Sequence, residues 1–164
     1  MNKKDTVVFD LDGTLLDTLE DLKNSVNYAM TQCGYPEHTL DEVRRYVGNG
    51  ILLLMQRAIP GGKDDPNFDK AFTLFKEHYG KHCNDTTKSY AGIMELLHTL
   101  KENNIKIAIV SNKADFAVKE LNEIYFKKYI DVAIGENEAG GIGKKPAPDE
   151  VNLALEQLDS TKAE

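Results

Sequence analysis

The chain has 164 residues, of which 41% are hydrophobic and 29% charged, and its formal net charge at pH 7 is −7. This length allows one full domain or a core with a small insert, and the negative charge argues against nucleic acid as a partner. Because the N-terminal residues lack an apolar signal region and no apolar run reaches membrane length, we expect no membrane partner and a cytoplasmic location. Cys33 and Cys83 show no recognisable spacing and are expected to be free thiols.

The first structured stretch is predicted at Thr6–Thr14, with the sequence TVVFDLDGT. Val7–Phe9 is β-branched and aromatic, which favours a buried strand. Asp10 and Asp12 follow at the end where ligands bind in open α/β sheets. The Asp-Gly pair is also typical of a β-hairpin, but the next apolar residues recur at three- and four-residue steps, which favours strand, turn and helix. These residues are Leu15, Leu16, Leu19, Leu22, Val26, Ala29, Met30 and Cys33.

The chain from about residue 17 to residue 86 shows only helical patterns. Thr39 and Glu42 make a capping box in front of a short helix at Leu40–Val47, and Ile51–Ile59 resumes as helix. A further helix is predicted from an apolar stripe that consists of Phe68, Ala71, Phe72, Phe75 and Tyr79. Such a run between strand–helix units predicts an inserted helical domain.

The second half of the chain alternates between helices and strands. Asn103-Asn104 is expected to end a helix in a left-handed conformation, just before a strand at Lys106–Val110. A helix, a strand at Ile130–Ile134 and a last helix around Val151–Leu158 follow. This alternation predicts an α/β fold with a parallel sheet and right-handed crossovers.

Several residues near the strand ends are suited to phosphate chemistry. A carboxylate such as that of Asp10 can attack phosphorus and form an acyl phosphate, and a cation such as Mg²⁺ is then needed between the two anions. Ser111 and Asn112 directly follow the strand Lys106–Val110, where a hydroxyl and turn amides can bind phosphate oxygens. Both are also ordinary helix caps, and the local pattern by itself favours the cap.

The sequence FDLDGTLLDT resembles the complete first motif of haloacid dehalogenase superfamily phosphatases, and the chain is most similar to their phosphoglycolate-phosphatase-like members. The resemblance implies that Asp10 is the nucleophile and Asp12 the general acid/base, and that both take part in binding Mg²⁺. It also matches Ser111 to the second family motif and Lys145, before Pro146, to the third, with Lys144 as a charged neighbour. The phosphate-binding residues that it implies are Leu11, Gly13, Thr14, Ser111, Asn112 and Lys145.

The resemblance also implies a domain organisation. Residues 1–16 and 87–164 would form a Rossmann-like parallel core, and residues 17–86 a helical cap that covers the site and selects the substrate. In the cap, Arg45, Gly48, Asn49 and Gly50 resemble a stretch that shapes the substrate pocket, although a solvated helix face explains them equally well. The expected partner is a small phosphorylated metabolite, and the chain is expected to be a monomer or a homodimer.

Other functions remain open at this stage. A sugar phosphomutase of the same superfamily would pass the phosphoryl group to a sugar hydroxyl, and nothing in the residues separates it from a phosphatase. A haloacid dehalogenase fits less well, because Asp12 is suited to protonating the leaving oxygen of a phosphoester. A receiver-like signalling domain also combines acids, a Ser or Thr and a Lys at a sheet edge, but it lacks a helical insert of this size and the Asp-Gly-Thr turn.

The fourth family motif, a further strand that ends in Gly-Asp and supplies magnesium carboxylates, would begin just after Glu164. The chain is therefore expected to be truncated before the last core strands. By itself it is expected to be a poor or inactive enzyme.

Overall fold

The structure is a computed structural model, and it describes residues 5–137 and 140–160. The strands are β1 (Thr6–Phe9), β2 (Leu16–Asp17), β3 (Lys88–Ser89), β4 (Lys106–Ala114) and β5 (Val132–Glu136). The α-helices are α1 (Leu19–Gln32), α2 (Leu40–Tyr46), α3 (Ile51–Ala58), α4 (Phe68–His82), α5 (Ile93–Glu102), α6 (Asp115–Tyr125) and α7 (Asp149–Gln157), and a 3₁₀ turn lies at Gly62–Asp64. Within the described ranges, no helix is both long enough and apolar enough to cross a bilayer.

The chain divides into two compact units. One unit contains Met1–Leu16 and Ser89–Glu164, and the other contains Asp17–Lys88. The second boundary thus lies two residues later than the division predicted after residue 86. Strands β2 and β3 lie where the chain passes between the units, and they pair with each other.

The first unit is built on a parallel sheet with the strand order β1-β4-β5. Thr6 lies opposite Lys106 and Phe9 opposite Ile109, so β1 and β4 run in register. Among the described strands β1 is at the edge of this sheet, and its residues are half-buried. The sequence had predicted a buried strand, whereas an edge position leaves one side of β1 without a neighbour among the described strands.

Alternation along β4 supplies two apolar faces. Ala108 and Val110 pack with Ile134, and α7 covers this face with Ala154 and Leu158. Ile107 and Ile109 point to the opposite face and are fully buried. Helix α5 ends as expected, because Asn104 takes the left-handed conformation with φ of 57°.

Strand β4 extends beyond its predicted end at Val110 and contains a bulge. Val110 pairs with Ile134 and Ala114 with Glu136, so three residues of β4, Ser111–Lys113, lie opposite Gly135 alone. A bulge adds residues to one strand and re-aims their side chains. The chain at Ser111-Asn112 is therefore part of this irregular strand, where the sequence had predicted the turn after it.

Gly135 makes this bulge possible. A Cβ atom at this position would lie 2.4 Å from the Cα atom of Asp115 and 2.7 Å from the carbonyl oxygen of Lys113. Real Cβ atoms do not approach backbone this closely, so only glycine fits opposite the bulge. The N–H of Gly135 also donates to Oδ1 of Asp115 at 3.0 Å.

The second unit is helical, as the spacing of its apolar residues predicted. Thr39 and Glu42 form the expected capping box at the start of α2. On α4, Phe68, Ala71, Phe75 and Tyr79 are buried, while Phe72 is half-buried and stacks on Phe68.

A buried acid joins the two ends of the second unit. Asp21 in the first turn of α1 is 1% exposed, and its carboxylate accepts hydrogen bonds from the backbone N–H and side-chain hydroxyl groups of Thr86 and Thr87. These four donor–acceptor distances lie between 2.7 and 3.0 Å. These hydrogen bonds hold the first helix of this unit, α1, against the segment at Thr86-Thr87 with which the unit ends.

Candidate active site

The acidic loop begins directly where β1 ends. Asp10 is exposed, Leu11 is fully buried, and the carbonyl oxygen of Leu11 accepts hydrogen bonds from the N–H groups of Thr14–Leu16 at 3.0 to 3.2 Å. Gly13 has φ of +73°, which glycine adopts without the strain that a Cβ atom would cause. The loop is thus a tight turn, with the two aspartates on either side of a buried leucine.

Lys145 lies against Asp10. Its Nζ atom is 2.9 Å from Oδ1 of Asp10 and 3.0 Å from the carbonyl oxygen of Val110. The same Oδ1 atom accepts the N–H of Leu11 at 2.8 Å. Oδ1 of Asp10 therefore accepts from both an ammonium group and a backbone N–H, and these two contacts fix the orientation of the carboxylate.

Asn112 positions Lys145 through the backbone. Its side-chain NH₂ group donates to the carbonyl oxygen of Lys145 at 3.1 Å, and its Oδ1 atom accepts the N–H of Lys145 at 2.8 Å. Asn112 is 8% exposed, so this two-bond clamp is shielded from water. The predicted contact of Asn112 with phosphate stays a prediction, and the clamp is a role that the sequence did not indicate.

Ser111 is buried at the start of the bulge. Its Oγ atom accepts the N–H of Lys113 at 3.2 Å, and the residue is 2% exposed. The expected binding of phosphate by Ser111 stays a prediction, as does that by Leu11, Gly13 and Thr14.

Lys113 is a site residue that the sequence analysis did not identify. Its Nζ atom lies 2.9 Å from Oδ1 of Asp12, and its side chain is 2% exposed. The position of this lysine, two residues after Ser111 and at the end of an apolar strand, could have drawn attention to it. In a regular strand, however, Ser111 and Lys113 would share one face and Asn112 the other, and only the bulge changes that pattern.

The neighbouring lysine, Lys144, has a different partner. Its Nζ atom lies 3.1 Å from Oε1 of Glu136 at the end of β5. The two adjacent lysines are thus divided between two acids, and Lys145 is the one beside Asp10.

Glu150 is a fully buried acid in the first turn of α7. Neither oxygen makes a hydrogen bond of ordinary geometry within the described ranges. Burial raises the pKa of the Glu150 carboxyl above its usual value, and nearby Glu136 adds to this, while Lys145 and Lys144 oppose it. Besides Asp10 and Glu136, Glu150 is thus a third acid near the lysine pair, at a position where its charged form is disfavoured.

Replacing Glu150 by glutamine is expected to raise the free energy of unfolding at neutral pH. The folded state holds the Glu150 proton more tightly than the unfolded state, so the wild-type chain loses stability as the pH rises above the ordinary glutamate pKa. The gain in Glu150→Gln should therefore be present at pH 7 and disappear on acidification below that pKa. Urea unfolding at both pH values measures it, and an equal gain at low pH would contradict this explanation.

The predicted substrate-pocket residues lie in the helical unit. The Nε atom of Arg45 donates to the carbonyl oxygen of Asp41 at 3.1 Å, and Oδ1 of Asn49 accepts from Arg57 at 3.1 Å. Arg45, Gly48 and Asn49 are exposed, and Gly50 precedes α3 with φ of +86°. Their contact with a substrate stays a prediction.

The acidic loop offers oxygen ligands that suit Mg²⁺. These are the carboxylate of Asp10 and the backbone carbonyl oxygen of Asp12, with the carboxylate of Asp12 nearby. Magnesium is commonly held by one or two carboxylates together with phosphate and water, so this donor set fits. In the described part of the chain, no group of three or more His, Cys, Asp or Glu side chains is arranged to hold a metal ion.

Comparison with known proteins identifies the family. Residues 7–164 match the family model described as haloacid dehalogenase-like hydrolase. A phosphoglycolate phosphatase of Nitrosospira multiformis is 32% identical over 158 residues, which cover 93% of this chain and 69% of that protein. The phosphoglycolate phosphatase of Aquifex aeolicus is 31% identical, with the same coverage of 93% and 69%.

A solved structure supports the same assignment. The crystal structure of a candidate phosphoglycolate phosphatase from Lactobacillus delbrueckii subsp. bulgaricus aligns with a TM-score of 0.89 and 31% identity, over 97% of this chain and 75% of that one. The chain belongs to the haloacid dehalogenase-like hydrolase family. Within this family it is a phosphoric monoester hydrolase that resembles phosphoglycolate phosphatases.

Proposed function

We propose that the chain hydrolyses a small phosphate monoester of the phosphoglycolate type through an aspartyl-phosphate intermediate, with Mg²⁺ as cofactor. The observation that carries this proposal is the contact of 2.9 Å between Nζ of Lys145 and Oδ1 of Asp10. Asp10 directly follows β1 and lies two residues before Asp12. A carboxylate held in one orientation, with a neighbouring acid, is suited to nucleophilic catalysis. The names of the relatives supply the substrate class.

In the first step, an oxygen of Asp10 attacks phosphorus and the bond between phosphorus and the ester oxygen breaks. The leaving oxygen takes a proton from Asp12, so the products of this step are aspartyl phosphate and the free alcohol. The ammonium group of Lys145 orients the nucleophile and reduces its repulsion from the anionic phosphoryl group. Asn112 keeps Lys145 in place for this role through its two bonds to the backbone.

In the second step, a water attacks phosphorus and gives its proton to Asp12. The acyl phosphate bond breaks, Asp10 returns to its carboxylate form, and inorganic phosphate leaves. The groups proposed to bind the phosphate oxygens in both steps belong to Leu11, Gly13, Thr14, Ser111, Asn112 and Lys145.

Asp10 and the backbone carbonyl oxygen of Asp12 are proposed to hold Mg²⁺. When bound, this ion would reduce the repulsion between the Asp10 carboxylate and the phosphoryl oxygens. The helical unit, Asp17–Lys88, is proposed to act as a cap that selects the substrate, on the basis of the family resemblance. The cytoplasmic location stays a prediction.

Chelation of divalent metal is expected to stop the reaction. With enzyme in excess over phosphoglycolate and Mg²⁺ present, the chain should release free phosphate, and adding EDTA should reduce this release to the level without enzyme. Restoring excess Mg²⁺ is the control, since it should return the activity. Phosphate release that is equal with and without EDTA would contradict the role of the metal.

Product analysis with phosphoglycolate and with a sugar phosphate as substrates separates the alternatives. Free phosphate is the product expected of a phosphatase. Transfer of the phosphoryl group to a second hydroxyl of a sugar phosphate would indicate a mutase. A stable phosphoprotein that forms without substrate turnover would indicate a receiver-like domain.

A further inference from the structure

We propose that Lys113 is a positioning residue that holds the carboxyl group of Asp12 in place for its proton transfers. This inference rests on the proposed function, because it concerns the step in which Asp12 protonates the leaving oxygen. Its starting observation is the 2.9 Å contact between Nζ of Lys113 and Oδ1 of Asp12.

This ion pair differs from the surface pairs of the same chain. The side chain of Lys113 is 2% exposed, whereas that of Lys127, which pairs with Glu123 on the surface of α6, is 68% exposed. Exposed pairs exchange partners with water and constrain their acids little, but a buried ammonium group needs an acceptor within hydrogen-bond distance. Oδ1 of Asp12 can accept from it both in the carboxylate and when the proton is on Oδ2. The pair of Lys113 and Asp12 therefore fixes both side chains.

The backbone of Lys113 is fixed as well. Lys113 is the last residue of the bulge opposite Gly135, where a Cβ atom would come within 2.7 Å of the Lys113 carbonyl oxygen. The N–H of Lys113 is bonded to Oγ of Ser111 at 3.2 Å. The lysine thus extends from a closely packed, hydrogen-bonded part of the sheet toward the acidic loop.

Holding one oxygen of Asp12 has a chemical consequence. A carboxyl group that is free to rotate presents its proton in many directions, and proton transfer requires a defined one. With Oδ1 against Lys113, rotation about the side-chain bonds of Asp12 is restricted. Substrates whose leaving oxygen needs a proton should depend on Lys113, and substrates whose leaving group departs without one should not.

The test compares two esters in Lys113→Met. Phosphoglycolate has an alkyl leaving group that must be protonated, while p-nitrophenyl phosphate releases a stable phenolate. We expect kcat/KM for phosphoglycolate to fall by about 10²-fold, because misplacement of a catalytic group has an effect of this order. The value for p-nitrophenyl phosphate should change by less than about threefold, since its leaving group does not need the Asp12 proton.

Two further variants complete the design. Lys127→Met removes an exposed lysine of a surface ion pair and should leave kcat/KM for both esters unchanged. Lys113→Arg keeps the positive charge, so the ratio of kcat/KM for phosphoglycolate to kcat/KM for p-nitrophenyl phosphate should stay closer to that of the wild-type chain. This variant keeps the proposal testable if Lys113→Met folds poorly. A ratio in Lys113→Arg as low as that in Lys113→Met would contradict the role of the charge.

The outcomes distinguish this inference from the proposed function. A parallel loss of kcat/KM for both esters in Lys113→Met would overturn the positioning role while leaving the phosphatase activity of the wild-type chain intact. Failure of the wild-type chain to hydrolyse either ester with enzyme in excess over substrate, where even a poor enzyme completes one turnover, would overturn the proposed function, and this inference with it.

Discussion

Replacing Asp10 by asparagine is expected to reduce phosphate release by at least about 10³-fold, because removal of a catalytic nucleophile commonly costs more than this. An amide cannot attack phosphorus, whereas its size and its ability to accept from Lys145 and from the N–H of Leu11 are retained. The fold should therefore persist. Release of phosphate from phosphoglycolate with enzyme in excess measures the loss.

Trapping the intermediate makes this test specific. Acid quenching after mixing with phosphate-labelled substrate should leave label on the wild-type protein and none on Asp10→Asn. Asp64→Asn, which changes an exposed aspartate in the 3₁₀ turn of the other unit, is the matched control and should label normally. A labelled Asp10→Asn protein, or one with more than a small residual rate, would remove Asp10 as the nucleophile.

Replacing Asp21 by alanine is expected to destabilise the helical unit by about 2–4 kcal/mol, because it removes the acceptor for several donors, and those of Thr87 are buried. The chain divides into two compact units, so a signal averaged over the whole chain does not report on the helical unit alone. Exchange of the amide protons of α1 and α4 reports on this unit directly. Asp64→Ala, at an exposed position of the same unit, is the control and should change exchange little.

The contribution of Asp21 should depend on pH in a defined direction. Burial raises the pKa of Asp21, but the hydrogen bonds from Thr86 and Thr87 outweigh it and hold the pKa below the usual value. The stabilisation is then fully present above the ordinary aspartate pKa and is lost as the pH falls through the lower pKa of the folded state. A difference between the wild-type chain and Asp21→Asn that grows on acidification would contradict this sign.

Local patterns predicted most of the secondary structure. The helical spacing after Gly13 correctly excluded a hairpin, and the capping box at Thr39 and the left-handed turn at Asn104 lie where the sequence placed them. These features depend on residues close in the chain, whose preferences are set by backbone sterics and short-range hydrogen bonds. The family motifs likewise indicated Asp10, Asp12 and Lys145 from single stretches of sequence.

The arrangement of the charged side chains came only from the tertiary structure. Lys144 and Lys145 are adjacent and identical in type, yet one pairs with Glu136 and the other with Asp10. The partner of Asp21 lies 65 residues away at Thr86, and no local pattern connects them. Pairs of this kind are decided by where the packed strands and helices bring their ends.

By itself, the sequence determined the α/β class, the helical insert and the acidic loop, because hydrophobic periodicity and turn residues act over a few positions. Only the tertiary structure decided that β4 continues into a bulge, that Gly135 admits it, and that Lys113 therefore reaches Asp12. The physical reason is that a bulge is a property of two strands in register, and its single permissive glycine lies on the strand that does not bulge.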